Sequence, residues 1–398
     1  MSVDSDVAGR HNARMDRIRV LEVTEAAGGG VLRHLLDIAE HIDRTEFALT
    51  FALSPRRMRD PDRVRARLLD ARAAVEFVPM ARRISPVNDL LAYRRLLGLM
   101  REGEYDVVHA HSSKAGMLAR RAARQLGMSR VFYSPHAFAF QCGGPAGRLY
   151  AALERFAAGY DSILVAVSQS ERETAVRNRI APADRVCVIP NAVAAPGVPT
   201  GEEREAARVA LRLPRGGSPV VGTVGRLARQ KGIDAFLHAA TRVVRARPDA
   251  NFVVIGNGPE KDSLERLADS LGLGRTVSFA GYRDDAADLC AAFDVYCQLS
   301  RWEGLPYALL DAMGRAIPVV ASPIPGNTDL IENGQTGLLA RRATEAGEAI
   351  LALIDDRERA DRLGRAGRRL VLDCHALPDF IERLSALYRG ELHPARHP

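Results

Sequence analysis

Cysteine is scarce in this sequence: five residues in 398, Cys142, Cys187, Cys290, Cys297 and Cys374, with no C-x-x-C spacing among them. They sit in apolar contexts, which suits buried thiols in a reducing cytoplasm and excludes a disulfide framework or a cysteine zinc site. Lysine is scarcer still. Only Lys114, Lys231 and Lys261 occur, and the other 53 basic side chains are arginine. A lysine retained against that bias hints at a place where a compact ammonium is wanted. No run reaches the roughly 18–20 apolar residues of a membrane span. The opening MSVDSDVAGRHNARMD mixes charges and lacks an apolar h-region, which excludes a secretory signal. A cytoplasmic location is therefore expected. No basic stretch interleaved with aromatics and no nucleic-acid motif is present, so nucleic acid is not an expected partner.

What is there describes a soluble globular protein, with 47% apolar and 26% charged residues. The length predicts two domains of about 150–200 residues each. The net charge of +7 lies wholly in the first half: residues 1–200 hold 29 basic against 22 acidic side chains, and the remainder 27 against 27. A basic half can meet an anionic lipid surface or plain solvent. Arg63, Arg65, Arg67, Arg72, Arg94 and Arg95, on predicted helices, are the residues that would dock on lipid. The expected location is then the inner face of the plasma membrane, held peripherally.

Short apolar runs alternate with amphipathic segments almost throughout. IRVLEV (18–23), FALTFAL (47–53), AVEFVP (74–79), YDVVHAH (105–111), RVFYSP (130–135), SILVAVS (162–168) and RVCVIP (185–190) predict buried strands. The segments between them repeat apolar residues at helical spacing. The stretch NAVAAPGVPTGEE (191–203) breaks the rhythm and reads as a linker. The alternation then restarts with VVGTVG, NFVVIG, TVSFAG, DVYCQLS and IPVVAS. Two Rossmann-like, doubly wound α/β domains facing each other across a cleft are expected. The predicted division is a disordered tail (1–16), a first domain (17–190), the linker, a second domain (204–375) and a terminal helix with a frayed tail (376–398). That helix is expected to pack back on the first domain.

Two stretches of the second half can carry chemistry. VGTVGRLARQKGIDAF follows a strand with a Gly225-Arg226 turn and opens a helix near Lys231. Such an edge offers backbone N–H groups, a forked guanidinium and an ammonium to an anion. It is not a Walker loop, having no G-x-x-x-x-G-K-[ST]. A solvated surface turn is the plain alternative. SRWEGLPYALLDAMG (300–314) places Glu303 in a strand-to-helix loop and Asp311 about a turn and a half inside the helix. The two acids flank a helix N-terminus, where they can accept hydrogen bonds from sugar hydroxyls or merely compensate the helix dipole.

GRLARQKG and SRWEGLPYALLDAMGRAIPVVASPIPGNTDLI together resemble the C-terminal domain of glycosyltransferase family 4, retaining and metal-independent enzymes of the GT-B fold. TEAAGGGVLRHLLDIAEHI, VSQSERE, VIPNAV and VIGNGPEKDSLERLA extend the resemblance over about residues 17–385. It implies that Arg226 and Lys231 grip the donor diphosphate. It also implies that Glu303 holds hydroxyls of the transferred sugar, and that Gly304 and Leu305 approach sugar and phosphate through their backbone. Asp311 stands where the family usually has a ribose-binding glutamate. Being one methylene shorter, it loses about 1.5 Å of reach. Asp329, after Gly326-Asn327, and Ala192, in place of a common glycine, are further departures.

In the first half, Gly28, Gly29 and Gly30 form a turn that the resemblance places by the donor phosphate; Gly29 and Gly30 are its donor-binding candidates. His136, in YSPHAFAFQCGG, matches a histidine near the transferred sugar. HSSKAG supplies acceptor-side candidates His111, Ser112 and Lys114. His109 and His111 lie on one strand face, but no third ligand of fitting spacing is visible, so a metal is not expected. Asp60-Pro61-Asp62 and Asp284-Asp285 read as helix starts rather than metal–nucleotide sites. The implied activity is transfer of a hexose-type sugar from a nucleotide-diphosphate donor, by default a UDP-sugar, to a glycan or lipid-linked glycan of cell-surface or exopolysaccharide synthesis, with no cofactor. A nucleotide-sugar epimerase and a non-catalytic nucleotide-sugar-binding scaffold are the alternatives.

Overall fold

The computed structural model describes residues 17–81, 84–214 and 217–392. The expected tail at 1–16 and the last six residues lie outside them. The chain forms two compact units: one combines the chain up to Ile189 with the segment from Pro378 onward, and the other runs Pro190–Leu377.

The first unit is built on a seven-stranded sheet of order β3-β2-β1-β4-β5-β6-β7. Its strands are β1 (Ile18–Thr24), β2 (Phe47–Leu53), β3 (Ala74–Phe77), β4 (Val107–His111), β5 (Val131–Ser134), β6 (Ile163–Ala166) and β7 (Val186–Val188). Every pairing is parallel. Helices such as Gly29–His41, Ser113–Gln125 and Gln169–Arg177 supply the crossovers. The sequence runs read as strands are these strands, because buried parallel strands present continuous apolar residues. The strand order reverses between β1 and β4, which opens a crevice at their carboxyl ends.

The second unit repeats the plan with a parallel sheet of order β10-β9-β8-β11-β12-β13. These strands are β8 (Val220–Val224), β9 (Asn251–Ile255), β10 (Val277–Gly281), β11 (Val295–Gln298), β12 (Val319–Ala321) and β13 (Leu338–Leu339). Here the order reverses between β8 and β11. The two-residue β13 is too short for any periodicity to predict.

The stretch 191–203 is not a free linker. Asn191 donates to the Leu305 carbonyl at 2.8 Å, Val193 bridges to Ala376, and a helix has begun by Gly201. That helix starts where it does because Thr200 and Glu203 form a reciprocal capping box. The helix Leu377–Arg389 belongs with the first unit, where the Tyr388 hydroxyl donates to Glu22 on β1 at 2.6 Å.

Candidate functional site

In the second unit, the sequence-predicted residues converge at the β8/β11 reversal. β8 ends at Val224, and Gly225 donates its N–H to Ile255 O at 2.9 Å. Arg226 stands exposed in the loop that follows. Lys231 closes a short 3-10 turn, and Gly232 takes φ +61° to start the helix Ile233–Ala246. Gly232 is obligatory: a Cβ there would lie 1.9 Å from Leu299 O, so the β11 loop packs directly on its Cα. Gln230 and Arg301 tie the same two loops, through Arg301 N–H to Gln230 O at 2.7 Å and Gln230 Nε2 to Trp302 O at 3.0 Å.

This bracing brings Lys231 Nζ to 2.6 Å from Glu303 Oε1, which also accepts from Ser300 Oγ at 2.7 Å. Glu303 is 6% exposed and Asp311 8%. Both acids lie close enough to Tyr296 to matter electrostatically. Burial first, then the neighbouring Cys290 and the acids Glu303 and Asp311, pushes the Tyr296 phenol well above its ordinary range. Pro306 caps the helix Tyr307–Gly314, on which Asp311 sits. Gly304 O lies 2.4 Å from where a Gly326 Cβ would be, and Gly326 N–H donates to Asp329 at 2.9 Å. The Gly326-Asn327 turn therefore buttresses the Glu303-Gly304 loop, with Asn327 fully buried against Gln298 and Ser322. Ala192, 2% exposed, follows the Asn191 that holds Leu305.

In the first unit, the predicted residues gather at the β1/β4 reversal. Gly29, at φ +58°, begins the helix Gly29–His41 with Gly28 as its N-cap. His111 ends β4 and His136 follows β5, His111 Nδ1 lying 2.9 Å from His136 Nε2. His136 and Ala137 both have left-handed backbones, φ +50° and +79°. Glu171 holds that strain by accepting from Ala137 N–H at 2.7 Å and from Val167 N–H at 2.8 Å.

The acceptor-side candidates are turned inward. His111 is fully buried, with Nε2 2.7 Å from Glu22 Oε2 and Nδ1 on His136. The Ser112 hydroxyl bonds to Glu25, which also takes Ala115 N–H at 3.0 Å. Lys114 pairs with Asp89 at 2.6 Å. His111 and Ser112 are held by acids that the apolar context of β1 and its following turn concealed. A polar side chain at a buried strand end must find a partner.

His109 is satisfied on both sides, by Tyr388 OH at 2.7 Å and Ser134 Oγ at 2.9 Å. Burial, then the neighbouring His111, His34 and His136, drive its basicity well below the ordinary range. His136 is shifted the same way, by burial first and then by His34 and His111.

The sequence showed no third metal ligand, but the fold supplies one. His34, from the helix Gly29–His41, brings a ring nitrogen within 4.8 Å of those of His111 and His136; Glu22, His109 and His111 form a second such set. A cation could bridge the first set only by displacing the His111–His136 hydrogen bond. Asp60 caps its helix by accepting from Arg63 N–H at 2.9 Å, and Asp285 pairs with Arg283 at 2.7 Å. Both are structural in this fold.

Comparison with known proteins decides the class. A family model described as group 1 glycosyl transferases matches residues 206–370, and a glycosyl transferase 4-like domain model matches 29–192. The chain is 33% identical over 281 residues to an Escherichia coli UDP-Gal:alpha-D-GlcNAc-diphosphoundecaprenol alpha-1,3-galactosyltransferase, covering 68% of this chain and 72% of that one.

The chain belongs to the family 4 glycosyltransferases.

A GDP-mannose-dependent alpha-(1-6)-phosphatidylinositol monomannoside mannosyltransferase of Mycobacterium tuberculosis is 29% identical, covering 72% of this chain and 77% of that one. Among solved structures, Anabaena HepE in complex with UDP-glucose superposes with a TM-score of 0.79 at 21% identity, covering 94% of this glycosyltransferase and all of HepE. A sucrose-phosphate synthase from Thermosynechococcus elongatus gives 0.80 at 19% identity, covering 94% and 99%. These likenesses establish the GT-B fold. The enzyme is a glycosyltransferase that uses a nucleotide-sugar donor.

Proposed function

We propose that this enzyme is a retaining, metal-independent hexosyltransferase that uses a UDP-sugar and extends a lipid-linked glycan for cell-surface or exopolysaccharide synthesis. The observation that carries the proposal is the Lys231–Glu303 pair, 2.6 Å apart at the strand-order reversal of the second unit, with Arg226 on the same loop. Ligands of open α/β sheets bind at that place. Arg226 and Lys231 supply two positive charges for the departing diphosphate, the work a metal does in other transferases. Glu303 then takes hydroxyls of the sugar, Asp311 those of the ribose, and the Gly225, Gly304 and Leu305 backbone lies against phosphate and sugar. In the first unit, Gly29 and Gly30 serve the donor phosphate and His136 the transferred sugar. The acceptor oxygen attacks the anomeric carbon on the face from which the diphosphate leaves, and its proton passes to the leaving phosphate oxygen.

UDP as the nucleotide, and a lipid diphosphate acceptor, are supported by the name of the E. coli relative, and UDP by the HepE complexes. A membrane-held acceptor fits a further feature. Val87, Leu90 and Leu91 are 72%, 48% and 57% exposed on one face of the helix Pro86–Gly103, which continues to exposed Arg94. That face is suited to an anionic bilayer surface. Arg67 and Arg95 pair with Glu40 and Glu76, while Arg63, Arg65, Arg72 and Arg94 are exposed and join the apolar face in this contact. No helix among the described residues is long and apolar enough to cross a membrane.

Calorimetric titration with UDP, GDP and ADP, each with EDTA and then Mg²⁺, tests the donor side. UDP binding unaffected by EDTA, followed by transfer from labelled UDP-sugar with retained anomeric configuration, is the expected result. Strict dependence on Mg²⁺, or an inverted product, would overturn it.

A further inference from the structure

Three histidines meet at the β1/β4 reversal of the first unit. His34, His111 and His136 each bring a ring nitrogen within 4.8 Å of those of the other two. They come from separate elements: the helix Gly29–His41, the end of β4 and the loop after β5. Each has its own support. His34 packs edge-on against Phe380, with ring centroids 5.1 Å apart. His136 stands on a left-handed backbone, φ +50°, and Glu171 fixes the next peptide by accepting from Ala137 N–H at 2.7 Å. His111 Nε2 lies 2.7 Å from Glu22 Oε2, and the other oxygen of Glu22 accepts from Tyr388 OH at 2.6 Å.

That last arrangement is the one metal-ligating histidines use, with one ring nitrogen on a carboxylate and the other turned to the metal. His111 Nδ1 faces His136 Nε2 at 2.9 Å, and a cation entering the cluster replaces the proton of that contact. If His136 holds the proton, it shifts to the ring's own Nδ1; if His111 is an imidazolium on Glu22, the proton is released to solvent. Either way two ring nitrogens are left bare toward the cation. Nitrogens on a tetrahedral zinc ion, with bonds of about 2.0–2.1 Å, stand about 3.3 Å apart. The three nitrogens here, one pair at 2.9 Å and none beyond 4.8 Å, bracket that spacing, so small ring rotations reach it. The neighbouring set of Glu22, His109 and His111 differs, because His109 engages Tyr388 OH with Nδ1 and Ser134 Oγ with Nε2. Three imidazoles without an oxygen ligand suit zinc and not Mg²⁺, Mn²⁺ or Ca²⁺, which favour carboxylates and water.

We propose that His34, His111 and His136 bind one zinc-class divalent cation, with Glu22 as the carboxylate that orients His111, and that the bound cation inhibits transfer. The inhibition rests on the proposed function, which sets His136 on the transferred sugar: a ring clamped in a three-histidine cluster cannot turn to a hydroxyl. The binding site rests on geometry alone. The cation takes no part in the reaction, which the proposed function runs without metal.

The test uses the whole enzyme, freed of metal with EDTA and dialysed. Cobalt is titrated first, because nitrogen-coordinated Co²⁺ absorbs in the visible. One equivalent should bind and be displaced by one equivalent of Zn²⁺, while Mg²⁺ displaces nothing. X-ray absorption of the zinc form should show three imidazole nitrogens at about 2.0–2.1 Å, a reading that needs no variant. His34→Phe, which keeps a ring against Phe380, should lose the cobalt spectrum yet transfer from labelled UDP-sugar at the unmodified rate. Glu22→Gln should weaken zinc binding about ten- to hundred-fold. Zinc should inhibit transfer by the unmodified enzyme, EDTA should restore it, and His34→Phe should resist. Absence of a cobalt spectrum at one equivalent, or fewer than three imidazoles on the zinc, overturns the site. So does unchanged binding in His34→Phe, which would put the metal on exposed histidines such as His41 or His238. A three-histidine zinc form that transfers at full rate overturns the inhibition, and with it the place of His136 at the sugar. A metal-free enzyme that transfers from no labelled UDP-sugar would sink the proposed function and leave the site standing on its binding data.

Discussion

Replacing Lys231 by methionine separates catalysis from stability in this enzyme. Lys231 Nζ and Glu303 Oε1 are 2.6 Å apart, with the side chains 21% and 6% exposed. At an effective dielectric constant near 20, two unit charges at that distance attract by about 6 kcal/mol before desolvation is subtracted. Removing one partner of a buried pair typically costs about 3–5 kcal/mol, because the other is left uncompensated. Here Ser300 still donates to Glu303 and water reaches the lysine side, so about 2–3 kcal/mol is expected. For a unit of this size that lowers the thermal midpoint by roughly 4–12 °C. Transfer should fall about 10²–10³-fold, the usual loss when one charge facing a leaving group is removed. The discriminating variant is Lys231→Met with Glu303→Gln. It removes both charges, so the midpoint should recover while transfer stays low. Thermal unfolding and initial rates with labelled UDP-sugar read the two effects. Recovery of transfer in the double variant, or a single variant that unfolds early yet transfers normally, would refute the diphosphate-grip reasoning and make the pair a structural strut.

Gly232→Ala places a methyl 1.9 Å from Leu299 O at φ +61°, so it should destabilise the fold by at least about 1–2 kcal/mol for the left-handed backbone alone, and reduce UDP affinity through the adjoining Lys231; wild-type calorimetry in this variant would show that the loops do not pack as described. Asp311→Asn should weaken UDP binding about ten- to hundred-fold if its carboxylate takes ribose hydroxyls, and unchanged titration would remove that role. His109 is held neutral in the fold by burial and by neighbouring histidines, whereas in the unfolded chain it takes up a proton below about pH 6.5. The unfolded state then binds more protons, so stability falls as pH drops below about 6.5, by up to about 1.4 kcal/mol per pH unit for this one group. A thermal midpoint constant from pH 7 to 5.5 would contradict it. Val87→Glu with Leu91→Glu should abolish co-sedimentation with anionic vesicles while leaving UDP binding intact; equal binding of the unmodified enzyme to neutral and anionic vesicles would remove the docking surface.

The sequence by itself determined the alternation of apolar runs and amphipathic segments, and with it two parallel-sheet units, because buried strands and half-buried helices have different periods. It also marked the chemistry of the second unit, since Arg226, Lys231 and Glu303 lie in two compact motifs at strand ends. Local pattern could not show which acids and histidines meet. Glu22 lies inside an apolar strand and Tyr388 in the last helix, yet they bond to each other and to His111 and His109 from 279 to 366 positions apart along the chain for the longest links. Such pairings depend on strand order, and strand order is decided by how helices and sheets cover one another, not by any one segment. The same holds for 191–203, whose proline-rich composition predicted a linker. In the fold it is part of the second unit, because Asn191 finds the Leu305 carbonyl at 2.8 Å and Val193 bridges to Ala376, partners more than a hundred residues away in sequence.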